Sequence, residues 1–154
     1  MSLDADVRRL ASTPLLGALD RGALRLVAFS GERISLADGE LLFRQGDAAD
    51  AAYQVVSGAL ALEIEGSTIP PFLAGPDALV GETALFAALQ RPSSARARGA
   101  TEVTKFPRAI MRRVLEEFPE EAAKLRAALA ATLGEFGAAL EASRRRARAT
   151  SPDL

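Results

Sequence analysis

Between Glu32 and Phe106 short runs of alternating apolar and polar residues are cut by glycines, and this pattern constrains the fold more than any other feature. In ERISLADGELLFRQGD, Ile34 and Leu36 share one face, Asp38-Gly39 turns the chain, Leu41 to Phe43 runs on, and Gln45-Gly46-Asp47 turns it again. AAYQVVSGALALEIEG alternates Tyr53, Val55 and, past Ser57-Gly58, Leu60, Leu62 and Ile64. A strand sends successive side chains to opposite faces, so a period of two marks half-buried strands. Gly66 marks a hairpin turn, and STIPPFLAGPDALVG continues as a strand broken by Pro70-Pro71 and by a Gly75-Pro76-Asp77 turn. Proline donates no ladder hydrogen bond, which places this strand at an edge or a bulge. SSARARGATEVTKF supplies two more strands. Together these predict a small β-barrel or jelly roll of about eight strands.

Helical spacing flanks this region. Residues 4–12 (DADVRRLAS) and 19–29 (LDRGALRLVAF) carry apolar positions three and four apart, with Thr13-Pro14 as the boundary and Pro14 suited to a first helical position. PRAIMRRVLEEFP reads as a helix with Pro107 near its start. From Glu120 to Arg148 Ala, Leu, Glu, Lys and Arg dominate, which favours one long helix. Its apolar positions Leu125, Leu129, Leu133, Phe136 and Leu140 fit either packing on the barrel or a seam with a second copy of the chain. Gly134 and Gly137 weaken the helix or permit close approach of another element. The basic cluster Arg144, Arg145, Arg146 and Arg148 complements the helix dipole and solvates its end; contact with nucleic acid is the lesser reading. The expected organisation is N-terminal helices over 1–30, a β-roll over 31–106, C-terminal helices over 107–148 and a frayed tail over 149–154.

Composition narrows the function. A chain of 154 residues, 49% hydrophobic and 25% charged, is expected to fold as one domain. A formal net charge of −1 gives no global attraction to nucleic acid or an acidic membrane. Charges break every apolar stretch too soon for a membrane-spanning helix. The opening MSLDADVRRLAS lacks the apolar region of a secretory signal, so a cytoplasmic protein is expected. There is no His and no Cys, which removes Ser-His-Asp and Cys-His triads, thiolate chemistry, zinc clusters and disulfides. Carboxylate, Lys or Tyr chemistry remains open, but the expectation is no enzyme, no metal and no cofactor. A cupin-like barrel enzyme would use His ligands that this chain lacks.

One stretch, VGETALFAALQRPSSAR, carries the candidate site over residues 80–96. Gly81 has no Cβ and lets backbone approach a ligand closely. A helix beginning directly after Glu82, through Thr83 and Ala84, would present unpaired N–H groups suited to an anion. In SSARARGA a strand places Ser93, Ala95 and Ala97 on an inward face and Ser94, Arg96 and Arg98 outward. Arg91, if the strand reaches that far, lies in phase with the inward face, and a guanidinium turned into a barrel must find an anion. Two partners are open: an internal carboxylate such as Glu82, or a phosphate held by Arg91 and the helix start while Glu82 accepts from a hydroxyl.

GETALFAALQRPSSA resembles the phosphate-binding cassette of the cyclic-nucleotide-binding domain family, as in the effector domain of catabolite-activator-like regulators. ADGELLFRQGDAADAAYQVVSGALALEI is similar to that family's barrel strands, with Gly39, Gly46 and Gly58 at its turn glycines, and STPLLGALDRGALRLVAF is similar to its N-terminal helical pair. The resemblance spans roughly residues 10–130. It implies a β-roll with flanking helices that binds a cyclic purine nucleotide, cAMP, as a regulatory module and thereby repositions its C-terminal helix. Arg91 would pair with the cyclic phosphate, Glu82 would accept from the ribose 2′-hydroxyl, Gly81 with the amides of Thr83 and Ala84 would line the site, and Ser93 would bring backbone near the phosphate. Bidentate Arg–phosphate contact is the strongest of these interactions. Pro92 departs from the pattern, since it lacks the N–H and hydroxyl that relatives often place after the arginine. Leu89 departs too, standing where many relatives carry Gly. The chain ends soon after the C-terminal helix, so no DNA-binding helix-turn-helix is expected. The expected partners are a cyclic nucleotide and a second copy of the chain, joined through the C-terminal helix, with no DNA and no membrane. The alternative is a ligand-free relative of the same fold that serves in dimerisation or protein contact.

Overall fold

The computed structural model of the chain describes residues 3–131. Helix α1 (Leu3–Ala11) and helix α2 (Arg21–Phe29) flank a 3-10 turn, Leu16–Ala18. Pro14 stands before that turn rather than at a first helical position. Asp20 opens α2 instead, its carboxylate accepting from the Ala23 N–H at 2.9 Å. The apolar periodicity sets the buried faces: Val7 and Leu10 of α1 pack with Ala23, Leu24 and Val27 of α2.

Eight antiparallel strands follow: β1 (Glu32–Leu36), β2 (Leu41–Phe43), β3 (Ala48–Ala49), β4 (Ala51–Glu63), β5 (Phe72–Ala74), β6 (Leu79–Val80), β7 (Leu89–Gln90) and β8 (Ser94–Pro107). The main sheet runs β1-β8-β4-β5, with β2 also on β8 and β6 also on β4, while β3 and β7 form a separate pair. Strands β4 and β8 are its spine, paired from Ala51↔Pro107 to Glu63↔Ser94. This is the jelly-roll class that the glycine-cut alternation predicts.

Two strand expectations are corrected and one open alternative is decided. Residues 94–107 form one strand, not two, because Gly99 sits in a bulge rather than a turn. Gly99 (φ +75°) and Gly58 (φ +80°) take left-handed backbone opposite one another, where the register shifts between Val55 and Ala59. The bulge absorbs the extra residues and the ladder resumes beyond it. Ile64 does not continue the inward alternation: it falls past the end of β4 and is 55% exposed. Of the two readings for the proline-rich segment, the edge strand is the one found, since β5 closes one end of the sheet.

Helix α3 (Arg108–Glu117) starts from Pro107, whose φ of −70° suits the cap, and buries Met111 and Val114. Helix α4 covers 119–131. Its Leu125 joins the core beside Leu10, Leu24 and Phe106, and Leu129 packs against the same cluster, so this part of the helix follows the barrel-packing reading. Buried Glu121 fixes α4 to the start of α2, accepting from the Asp20 N–H at 2.8 Å and from Lys124 Nζ at 2.7 Å. Leu133, Phe136 and Leu140, Gly134 and Gly137, the arginine cluster at 144–148 and the tail lie outside the described residues. A second core fills the roll between the sheet layers, with Leu36, Val55, Leu60, Ala95, Ala97 and Val103 at its centre. Among the described residues no helix is long and apolar enough to cross a membrane.

Candidate ligand-binding site

The segment from β6 to β8 carries the candidate residues and lines one cavity. Gly81 leaves β6 with φ +78° and starts a single 3-10 turn, Glu82–Leu85. The expected helix over TALFAALQ is therefore cut to one turn. Leu89 and Gln90 are claimed as β7 by pairing with Ala49 and Ala48, and the Ala87 carbonyl is taken by Arg108 Nη1 at 2.9 Å. The helix-start amides are correspondingly fewer. The Ala84 N–H already donates to the Gly81 carbonyl at 2.9 Å, and Ala84 itself is buried, whereas Thr83 is exposed.

Arg91 is fixed through its backbone before its side chain is considered. Its N–H donates to Asp47 O at 2.7 Å and its carbonyl accepts from the Gly46 N–H at 2.8 Å, so the Gln45-Gly46-Asp47 turn sets its position. The side chain points inward and is only 4% exposed, although β8 begins at Ser94, so the strand expected to carry its phase does not reach it. Nη2 donates to Ala51 O at 2.8 Å, while Nε has no hydrogen-bond partner among the described residues. The guanidinium carbon lies 4.2 Å from the Phe43 ring centre and 5.4 Å from that of Tyr53. A Cβ on Gly81 would stand 2.6 Å from Nη1, so any other residue here would force the guanidinium to shift.

Of the two open partners of Arg91, the internal carboxylate is not found. Among the described residues no Asp or Glu forms an ion pair with it. Glu82 turns away to the N-terminal helices, where its carboxylate accepts from the Leu15 N–H at 3.2 Å and the Leu16 N–H at 3.3 Å. Burial lowers the Arg91 pKa, and the fields of Tyr53, Asp50 and Asp47 raise it in part. An arginine stays charged under such pressure, so the site holds a desolvated cation.

That cation borders a cavity of about 530 Å³, a size suited to a small molecule. Phe43, Leu62, Phe72, Leu79 and Val80 give it apolar walls, and all seven sequence candidates (Gly81, Glu82, Thr83, Ala84, Arg91, Pro92 and Ser93) line it. Pro92 is exposed and Ser93 half-buried at its rim. The neighbouring Ser94 hydroxyl is a backbone support, accepting from the Gln45 N–H at 2.9 Å. Sequence reasoning missed Phe43 and Tyr53 as neighbours of Arg91; their inward phase was visible, but which strands meet across the roll was not. It also missed the Leu15 and Leu16 amides, which carry no side-chain signature.

An antiparallel jelly roll with flanking helices, and with a buried arginine at the wall of an apolar cavity, is the class of domain that the fold and site define. Residues 33–118 match the model of the cyclic nucleotide-binding domain family, and the chain belongs to that family. Among solved structures it is similar to a cyclic nucleotide-binding-like protein of Brucella abortus, with 40% identity and a TM-score of 0.66 over 73% of this chain and 99% of that one. It is also similar to the catabolite activator protein of Thermus thermophilus, with 30% identity and a TM-score of 0.65 over 86% of this chain and 63% of that one. Lysophospholipase nte1 of Aspergillus oryzae is 30% identical over 96 residues, which are 60% of this chain but 6% of the enzyme. So small a share of the enzyme gives no ground for assigning its catalysis to this chain.

Proposed function

We propose that this domain binds a cyclic purine nucleotide, cAMP, as a regulatory signal. The observation that carries the reading is Arg91: a buried cation that, among the described residues, has no carboxylate partner and an unpaired Nε, at the wall of a cavity of ligand size. The cyclic phosphate supplies the missing anion, and the apolar walls receive the purine. Glu82 retains acceptor capacity on Oε1, which takes one N–H, and it lines the cavity, so it remains available to a ribose hydroxyl. Movement of the C-terminal helices is the output. In support, Arg108 at the head of α3 ties to both Ala49 O and Ala87 O beside the cassette. The C-terminal helix pairs with that of a second copy as a two-fold dimer, the commonest homo-oligomer.

Calorimetry with cAMP on the wild type and Arg91→Ala tests the reading. Loss of a charge-assisted contact costs ~1.5–3 kcal/mol, or roughly 10- to 150-fold in affinity. Unchanged affinity in the variant refutes the phosphate role. A second reading, the ligand-free relative, draws on the engagement of Glu82 with Leu15 and Leu16 and on the missing N–H of Pro92. A thermal-shift panel of cyclic nucleotides without response would favour it.

A further inference from the structure

A buried guanidinium ordinarily relies on a carboxylate, which neutralises it and uses its donors. Arg91 instead has one carbonyl and two aromatic faces, Phe43 from β2 at 4.2 Å and Tyr53 from β4 at 5.4 Å. The two rings brace one another, with centres 5.8 Å apart and planes inclined by 34°, and both are buried. A ring face attracts a cation through its quadrupole without cancelling the charge and without accepting an in-plane N–H.

We propose that Phe43 and Tyr53 are positioning residues of the anion site, an aromatic clamp that stands in for the carboxylate and leaves the full charge of Arg91 to the ligand. The inference rests on the reading of Arg91 as the anion-binding group. Its physical content is that an incoming phosphate displaces no internal carboxylate, and meets a cation whose Nε is already unpaired. A purely packing role for the two rings would leave the affinity indifferent to their electron-rich faces.

Titration calorimetry with cAMP on the full chain separates these roles. Phe43→Leu keeps an apolar side chain but removes the face, and is expected to weaken cAMP binding roughly 3- to 30-fold. Phe43→Tyr and Tyr53→Phe retain a face and should bind within about two-fold of wild type. In an Arg91→Ala background Phe43→Leu should cost nothing further, because the group it positions is gone. Wild-type affinity in Phe43→Leu, or the same loss in both backgrounds, overturns the proposal. Should Phe43→Leu fail to fold, Tyr53→Leu carries the same expectations against the second ring. If the wild type binds no cAMP, the nucleotide reading falls and the clamp is judged without ligand, by ¹H–¹⁵N spectra of the Arg91 Nε–H. Its resonance should sit upfield through the ring current and move downfield in Phe43→Leu. A resonance that stays in place overturns the clamp.

Discussion

Gly81→Ala is the sharpest probe of how the cassette accommodates Arg91. Gly81 and Gly66 share a φ of +78°, but their surroundings differ. A Cβ on Gly66 meets nothing within 4 Å, whereas one on Gly81 meets Arg91 Nη1 at 2.6 Å. Gly66→Ala therefore reports backbone strain alone, ~1–2 kcal/mol for an L-residue in the left-handed region. Gly81→Ala carries the same strain and also displaces a guanidinium that has little freedom to move. Arg91 is fixed at its own N–H and carbonyl and by Nη2 on Ala51 O, so a tilt sacrifices that charge-assisted bond at ~1.5–3 kcal/mol. Urea melts should thus place Gly66→Ala about 1–2 kcal/mol below wild type and Gly81→Ala about 2.5–5 kcal/mol below. Calorimetry should show cAMP affinity lost in the second variant and kept in the first. Equal destabilisation, with affinity retained in both, would refute the claim that Gly81 is required by the arginine.

Pro92 lines the cavity without an N–H to offer. Pro92→Ala restores a donor worth ~0.5–1.5 kcal/mol, or about two- to thirteen-fold in cAMP affinity, against ~0.4–1 kcal/mol of lost rigidity. Pro92→Ser should do at least as well, and weaker binding by both on calorimetry would make Pro92 a preorganising residue instead. For assembly, light scattering should give a dimer for the full chain and a monomer for a version ending at residue 131, a cut that spares the buried Leu125. A monomer in both cases, at tens of micromolar, would overturn pairing through the C-terminal helix.

Local periodicity carried much of the fold. Helices α1 and α2 appear where three- and four-residue spacing places them, and the SSARARGA phase correctly separates buried Ala95 and Ala97 from exposed Arg96 and Arg98. The failures share one cause, partners distant in sequence. A glycine at positive φ serves a turn or a bulge equally well, and only the pairing of β8 with β4 decides that Gly99 is the latter. Likewise TALFAALQ has helical composition, but Ala48 and Ala49 draw Leu89 and Gln90 into a strand. The inward direction of Arg91 was anticipated from a strand that in fact begins only at Ser94; its carbonyl and ring neighbours, contributed by β2 and β4, were not legible. Glu82 could have served Arg91, and what directs it elsewhere is the turn before α2 with two amides to satisfy.

The segment Ala49-Asp50-Ala51 links this site to the helices mechanically. Its three consecutive carbonyls are divided between two arginines: Ala51 O accepts from Arg91 Nη2 at 2.8 Å, Asp50 O from the Arg108 N–H at 2.8 Å, and Ala49 O from Arg108 Nη1 at 3.2 Å. Arg108 also holds Ala87 O at the exit of the cassette. On the nucleotide reading, a phosphate drawing Arg91 toward the cavity competes with Ala51 O for the same guanidinium. The strain then falls on a backbone that carries the first residue of α3, with no chain of side-chain contacts needed to relay it. Couplings between sites of ~1–3 kcal/mol are typical of such two-state elements. One or two hydrogen bonds exchanged here, at ~1–1.5 kcal/mol each, are of that size. The opposite side of the cassette is held by Glu82 to the Leu15 and Leu16 amides, and α4 is held to α2 by Glu121. On the same reading, a cassette tied on both flanks would move by exchanging these few polar contacts, and its two positions would be discrete rather than graded.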